Sequence, residues 1–360
     1  MSLLYLLQDS IVGKSISAAA DALANPLVPG ALLLLLSRAP EATLQRLLER
    51  ASLPPDHGLA LAKSILRALL AVGTARHVNA KLSSMAANSW RLGGAPGWDW
   101  PREVAVVTGG SSGIGLAIVH KLVAAGVKVA VFDVQPLPPQ LQAGPLVRYY
   151  RCDVTSASSI ADAATGVRRD LGQPTILVNN AGIAVPKTVL DIDEKALQRI
   201  FAINTMSHWL TVQQFLPSML KANKGHIVTM ASVASFVGLP GHADYGSTKA
   251  SALAFHEALQ AEIKHVYHAP NVMTTIVHPN FVATPLLDGF KGHLASSGVS
   301  FLTPEQVAED TVAQIFARKA GQVVVPKASG AASVVRGLPL WLQVLIHNFM
   351  GANAKKLTGR

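Results

Sequence analysis

Tyr245 and Lys249 stand four residues apart in YGSTK, a spacing that stacks two side chains on one face of a helix. A phenol titrates near pH ~10, so it neither gives nor takes a proton readily at neutral pH unless a nearby cation favours its anion. Lys249 would supply that cation. Ser232 lies thirteen residues before Tyr245, just past HIVTM, where its hydroxyl could donate to a substrate oxygen beside the phenol. Asn204 is a polar residue in the otherwise apolar RIFAIN. It reads either as a helix-bending residue with a local hydrogen bond or as the holder of a water behind Lys249.

Those residues need a frame. From Arg102 onward the strand-like runs VAVV, KVAVF, VRYYRCD, TILVNNA, HIVTM and VMTTIV alternate with helix-like segments at 116–125, 156–171, 193–220, 245–265 and 304–318. Short apolar strands alternating with helices predict an α/β fold, a Rossmann-type doubly wound parallel sheet covered on both faces. Ligands of such sheets gather beyond the carboxyl ends of the strands. TGGSSGIG (Thr108 to Gly115), Asp133, Asp153, the stretch Asn179 to Gly182, Ser232 and the stretch Pro279 to Thr284 all fall there.

TGGSSGIG follows VAVV and precedes a helix, the order strand, glycine turn, helix. A phosphate ester needs unpaired backbone N–H groups, and a helix start provides them with the positive end of its dipole. Gly109, Gly113 and Gly115 let the backbone turn tightly and approach a pyrophosphate. Asp133, eighteen residues past Gly115, sits close to the ~20 at which a carboxylate meets an adenosine ribose. A carboxylate accepts from a 2′-hydroxyl and repels a 2′-phosphate. NAD is therefore expected over NADP, and Ser112 offers no basic partner to reverse that preference.

Together and in this order, the motifs closely resemble the short-chain dehydrogenase/reductase family over about residues 102 to 325. The resemblance implies a cofactor turn at Thr108, Gly109, Ser111, Ser112, Gly113, Ile114 and Gly115, a ribose anchor at Asp133 and an adenine contact at Asp153 and Val154. It implies that Asn179, Asn180, Ala181 and Gly182 steady the central sheet beside the cofactor. It implies a catalytic tetrad of Asn204, Ser232, Tyr245 and Lys249. In that mechanism Tyr245 exchanges a proton with the substrate oxygen while nicotinamide C4 takes or gives a hydride. Lys249 also binds the nicotinamide ribose, and Asn204 holds a relay water. Pro279, Val282 and Thr284 match the carboxamide contacts, although Asn280 stands where the family usually has glycine, and asparagine tolerates positive φ less well. A homodimer through the helices from Asp193 and Tyr245 is a further implication.

At 360 residues, 50% hydrophobic and 14% charged, the chain exceeds the ~100–200 residues of one domain. The expected organisation is a helical, apolar extension over 1–100, a catalytic domain over 101–325 and a basic amphipathic tail over 326–360. Cys152 is the only cysteine, which excludes disulfides within the chain and suits a reducing compartment. The net charge of +10 is uneven: past Asp310 no acidic residue occurs, while Arg318, Lys319, Lys327, Arg336, Lys355, Lys356 and Arg360 follow. No helix-turn-helix, zinc-ligand or RNP pattern accompanies them, so neither nucleic acid nor a metal is expected.

A membrane or lipid-droplet surface is expected instead, on the cytosolic side and with the endoplasmic reticulum as one host. LPLWLQVLIHNFMG is too short to span a bilayer, and Trp341, Leu345 and Phe349 recur at helical spacing. It reads as an interfacial helix or as the cover of a pocket or subunit contact. ALANPLVPGALLLLL, interrupted by Pro26 and Pro29, and the helical pattern from Leu59 to Ala75 leave a membrane anchor and a packed accessory helix both open. RLGGAPGWDWP reads as a linker. The family's membrane-associated members act on retinoids, steroids and long-chain lipids, and the apolar, glycine-containing LLDGFKGHLASSGVSFL falls where the family keeps a substrate lid. His242 reads as an exposed loop histidine or as pocket wall. The leading expectation is an NAD-dependent oxidoreductase acting on a lipophilic alcohol or carbonyl. The alternatives are a soluble NADP-dependent 3-oxoacyl reductase and a non-catalytic lipid-surface scaffold.

Overall fold

A computed structural model describes residues 25–40, 43, 44, 46, 58–142, 144–288, 292 and 300–351. The chain divides into two units, Met1–Ala86 and Ala87–Arg360. Helices α1 (Leu27–Arg38) and α2 (Gly58–Ala87) account for most of the described part of the first unit. The expected helix from Leu59 to Ala75 is longer: no glycine or proline follows Gly73 until Gly93, and the helix ends at Ala87, just before Ser89 and Trp90 take left-handed backbone. By length and composition α2 could cross a membrane, and Leu61, Ile65, Val72, Val78 and Leu82 along it are exposed.

The second unit is built on β1 (Val104–Thr108), which is buried along its whole length as the centre of a two-faced sheet requires. A glycine turn leads into α3 (Gly113–Ala124), then β2 (Lys128–Asp133), the short α4 (Pro139–Gln142), β3 (Val147–Arg151) and α5 (Ala157–Asp170). β4 (Ile176–Asn179) is followed by α6 (Glu194–Phe201), a π-helical turn at Ala202–Met206 and α7 (Ser207–Ala222). β5 (Gly225–Met230), α8 (Ala243–His265), β6 (Val272–Pro279), α9 (Pro304–Phe316), β7 (Gly321–Val325) and α10 (Leu340–Gly351) complete it. The seven strands pair in parallel in the order β3-β2-β1-β4-β5-β6-β7. The order reverses direction beside β1, so a crevice opens between the carboxyl ends of β1 and β4, the place where doubly wound sheets hold ligands.

Alternate residues of each strand feed two apolar layers. Val107, Val129, Val131 and Val178 pack with Ile118 and Leu122 of α3 and with Val307, Val312 and Ile315 of α9. Val106, Phe132 and Leu177 pack on the opposite face with Val167, Phe215, Leu259 and Ile263. Thr303 caps α9 with a reciprocal capping box to Gln306, as the sequence leads one to expect.

Three readings change. The single helix expected over 193–220 is two helices joined by the π turn, because Asn204 turns inward to bond backbone rather than continuing the α register. The glycine- and proline-rich stretch at 91–101 is no free linker: the Ala95 amide donates to the Arg318 carbonyl at 2.8 Å, and Arg91 donates to Asn271 and to the Pro270 carbonyl, each at 2.7 Å. His242 is buried, 8% exposed. Most of the lid sequence, the early part of the chain before Asn25, most of EATLQRLLERA, and Lys355, Lys356 and Arg360 lie outside the described residues. The two ends of the lid are held together by a parallel bridge between Val282 and Leu302.

Candidate active site

The turn after β1 is set by the protein's own contacts. Gly109 and Gly113 adopt φ of 64° and 54°, the left-handed region that side chains other than hydrogen disfavour. Gly115 is glycine for a different reason: a Cβ there would sit 2.1 Å from the Gly109 carbonyl oxygen and 2.5 Å from Asn180 Nδ2. Asn180 reaches across from β4 and donates to the carbonyls of Thr108 and Gly109 at 3.0 and 3.1 Å. Thr108 Oγ1 accepts the amides of Asn180 and Ala181, both at 3.0 Å. The ends of β1 and β4 are thereby stitched into one edge.

The amides of Gly113, Ile114 and Gly115 at the start of α3 have no backbone acceptor among the described residues, and Ser112 gives them no side-chain cap. They form a free positive helix end, chemistry that fits a dinucleotide pyrophosphate. Asp133 closes β2 with its carboxylate against this turn, accepting from the Ser111 amide and from the Gln135 amide at 3.0 Å each. Ser111 Oγ donates to the Gln135 carbonyl. Asp133 therefore braces the turn it would share with a ribose, and each oxygen keeps a further lone pair. Asp153 is exposed and caps its own turn through Thr155, while Val154 beside it is buried. Thr284 lies against the turn from the other side, its Cγ2 3.1 Å from where a Cβ on Gly113 would fall.

At the next strand ends the four chemical residues converge. Lys249 is 3% exposed and donates through Nζ to the Met230 carbonyl at 2.9 Å, with Nζ 5.6 Å from the centre of the Tyr245 ring. Burial pushes its ammonium down to about 8. Tyr245 is raised above its ordinary value by burial, with the neighbouring Ser232 hydroxyl pulling the other way. The direction differs from the expectation that Lys249 would bring the phenol down. In this geometry desolvation outweighs the Ser232 hydrogen bond. Asn204, fully buried in the π turn, accepts the Ile183 amide and donates to the Ile183 carbonyl, each at 2.9 Å, and donates to Thr248 Oγ1 at 3.2 Å. A Cβ on Gly182 would stand 3.5 Å from Asn204 Oδ1 and 3.6 Å from Lys249 Nζ, so Gly182 separates the two by little more than its own backbone.

Ser232 Oγ accepts the Ala234 amide at 3.1 Å and points to the Pro279 carbonyl at 3.4 Å. Past Pro279, Asn280 is not among the described residues with positive φ. Its side-chain Nδ2 donates to Ser329 Oγ at 3.1 Å and its side-chain Oδ1 accepts the Phe281 amide at 3.0 Å. The departure from glycine thus ties this turn to the C-terminal segment. The 3-10 stretch Lys327–Gly337 continues that segment, with Arg336 Nε donating to the Phe236 carbonyl at 3.0 Å. Phe236, Val237 and Val335 form a small buried cluster onto which Ile346 and Met350 of α10 pack. Leu340, Trp341, Val344, Leu345 and Phe349 of α10 remain exposed.

Around Ser232, sequence reasoning passed over His278 and Phe236 and read Arg336 only as a tail charge. A histidine inside the strand VMTTIVHP was the one available signal, since a titratable side chain in a fully buried strand needs partners.

A parallel sheet of this order with a glycine turn, a free helix end and a tyrosine beside a buried lysine defines a nicotinamide-type oxidoreductase of the Rossmann class. The model of the short chain dehydrogenase family matches residues 103–293, and the chain belongs to that family of NAD(P)-dependent oxidoreductases. Short-chain dehydrogenase/reductase 3 of Homo sapiens is 32% identical over 261 residues, 70% of this chain and 85% of that protein. Dehydrogenase RED2 of Cochliobolus heterostrophus is 41% identical over 183 residues, 50% of this chain and 68% of that protein. Epidermal retinol dehydrogenase 2 of Homo sapiens is 29% identical over 257 residues, covering 69% of this chain and 82% of that protein. A short chain dehydrogenase/reductase from Burkholderia phymatum, solved in complex with NAD, shares the fold with a TM-score of 0.59 at 24% identity, covering 67% of this chain and 95% of that one.

Proposed function

We propose that this chain interconverts a lipophilic alcohol and its carbonyl, with NAD as the preferred nicotinamide cofactor, at a membrane or lipid-droplet surface such as that of the endoplasmic reticulum. The observation that carries the reading is the convergence of Tyr245, Ser232 and Lys249 at the strand ends beside the free start of α3. The nicotinamide, when bound, supplies or accepts the hydride. Tyr245 gives its proton to the substrate oxygen in reduction and recovers it in oxidation. Ser232 donates a hydrogen bond to the same oxygen, and Lys249, with N–H donors beyond the one given to Met230, holds the ribose and favours the phenolate. Asn204 supports the backbone behind Lys249 and passes protons outward through water. Asp133 supports the preference for NAD.

The lipophilic substrate is supported by relatives named as a retinol dehydrogenase and an estradiol 17-beta-dehydrogenase. The surface location is supported by α2 and by the exposed Trp341 and Leu345 of α10 within a tail that carries only basic charge. Exposed Met206 and Trp209 support a homodimer through the helices from Asp193 and Tyr245.

The test is NADH formation from retinol and estradiol by the purified protein in detergent, with NADP in parallel. Tyr245→Phe lowers turnover by about a thousandfold while NADH still binds; retained turnover overturns the mechanism. Removing residues 340–360 shifts the protein from the membrane fraction toward the soluble one. An unchanged distribution assigns the surface contact elsewhere.

A further inference from the structure

His278 is the last residue before Pro279 at the end of β6 and is fully buried, at 0% exposure. Both of its ring nitrogens are engaged. Nδ1 lies 3.0 Å from the carbonyl oxygen of Ser232, and Nε2 lies 3.2 Å from Nε2 of Gln322 on β7. The ring also stacks on Phe236, centroid to centroid 4.4 Å.

The tautomer follows from chemistry. A carbonyl oxygen only accepts, so Nδ1 must carry the proton. A neutral imidazole then has an unprotonated Nε2, and Gln322 must present its NH₂ to it. Burial holds the ring neutral, its pKa pushed down to about 4, with Lys249 adding to the same direction and the Ser232 carbonyl opposing it. The contrast with His208 is instructive. That ring is as buried and lies in the field of the same lysine, yet neither of its nitrogens has a partner among the described residues. His278 is wired; His208 is not.

The wire leads to one place. Ser232 caps the 3-10 turn Val233–Ser235, and its Oγ direction is determined by its own backbone, by the Ala234 amide and by the Pro279 carbonyl. His278 holds the backbone carbonyl of that residue from the strand that also supplies Pro279. Phe236, at the far end of the same turn, is held by the His278 ring on one side and through its carbonyl by Arg336 on the other.

We propose that His278 is a positioning residue for Ser232, donating Nδ1–H to its carbonyl while Gln322 braces the ring at Nε2, so that the serine hydroxyl stays aimed at the substrate oxygen. The inference rests on the reading of Ser232 as the substrate's hydrogen-bond donor and assigns that residue a support which reaches, through Phe236, to the C-terminal segment.

The experiment compares His278→Leu, His278→Asn, Gln322→Leu and Ser232→Ala in the full-length protein. Turnover of retinol or estradiol with NAD is measured beside NADH affinity, thermal melting and amide hydrogen exchange across residues 231–236. Asparagine restores an N–H close to the Nδ1 position; leucine does not. The expected result is a fall of about tenfold in kcat for His278→Leu, recovery to within about threefold in His278→Asn, and little change in KM or NADH affinity. Gln322→Leu, which leaves His278 in place but removes the partner that braces its ring at Nε2, gives a smaller fall in kcat with unchanged melting. It decides the matter if His278→Leu does not fold. Faster exchange at 231–236 in His278→Leu, reversed in His278→Asn, reports the same hold without any substrate. Unchanged kcat and unchanged exchange in His278→Leu, or equal losses in the leucine and asparagine variants, overturn the proposal. If Ser232→Ala keeps full turnover, the reading of Ser232 fails; if it is inactive while His278→Leu is normal, only the positioning role fails.

Discussion

The two ends of the central sheet solve opposite problems. At the amino end Glu103, 1% exposed, receives Lys224 Nζ and Thr175 Oγ1, each at 2.6 Å, and the Asp99 amide at 3.0 Å. Glu103, Thr175 and Lys224 immediately precede β1, β4 and β5, so one carboxylate gathers three strand starts. Lys224 also sits 5.1 Å over the Trp98 ring. The charges are matched there, while Trp98 Nε1 and His226 Nδ1 have no partner among the described residues.

At the carboxyl end a lysine is buried against a single carbonyl among the described residues, Asn179 Nδ2 and both nitrogens of His208 lack partners, and the first amides of α3 stay free. Parallel strands force this division, because they collect all their starts on one edge and all their finishes on the other. One edge can be closed by mutual satisfaction; the other holds unspent hydrogen-bonding capacity, which is what a ligand needs.

The comparison can be broken in three ways, the largest first. The acid sensitivity of the fold is expected to reside in its buried histidines, with His278 at the carboxyl end of β6 and His226 near the start of β5. Burial pushes His208 and His226 down to about 3 and His256 and His278 down to about 4, against an ordinary value near 6.5. The unfolded chain takes up protons below pH ~6.5 that these rings refuse, so stability is full above that pH and is lost as pH falls toward 4. The slope approaches about 1.4 kcal/mol per pH unit for each ring. Urea unfolding at pH 7, 6 and 5 measures it, and His208→Phe should flatten the curve by one group.

Next, Glu103→Ala strands a largely buried ammonium and should cost about 3–5 kcal/mol of stability while leaving kcat of the folded fraction unchanged. A loss of turnover at full stability would mean that the amino end serves the chemistry too. The smallest effect is at Asp133. Asp133→Asn keeps an acceptor for the Ser111 amide and removes the charge that repels a 2′-phosphate, so preference for NAD over NADP should fall by about tenfold, read from the two kcat/KM values. A collapse of stability there would make Asp133 a brace of the turn first and a cofactor contact second.

How much of this was legible in the chain differs from residue to residue. The glycine turn was legible because its requirements are local: left-handed backbone at Gly109 and Gly113 directly between a strand and a helix. That Gly115 answers to the Gly109 carbonyl and Asn180 was not, because the crowding atom on Asn180 comes from a strand some seventy residues away. Tyr245 and Lys249 declared themselves by helical spacing. The sign of the pKa shift at Tyr245 did not, since it depends on how much of the unit closes over it. Asn204 was legible as a misfit in an apolar run, but the π turn that aims it inward is written in its bonds to Ile183. The stretch at 91–101 had the composition of a linker, yet backbone partners at Arg318 and Pro270 fasten it to the catalytic unit.

By itself, the sequence determined what short-range rules control: a parallel α/β sheet from alternating periods, a phosphate-type turn from three glycines, a proton-transfer pair from a four-residue spacing, and a tail without acidic charge. The tertiary structure alone decided which of those residues meet, which glycine is crowded by the protein itself, where burial moves a proton, and that His278 stands behind Ser232. Backbone periodicity and turn chemistry act over a few residues and can be read along the chain. Desolvation and hydrogen-bond partnership depend on atoms brought together from distant strands, and they exist only once the sheet has closed.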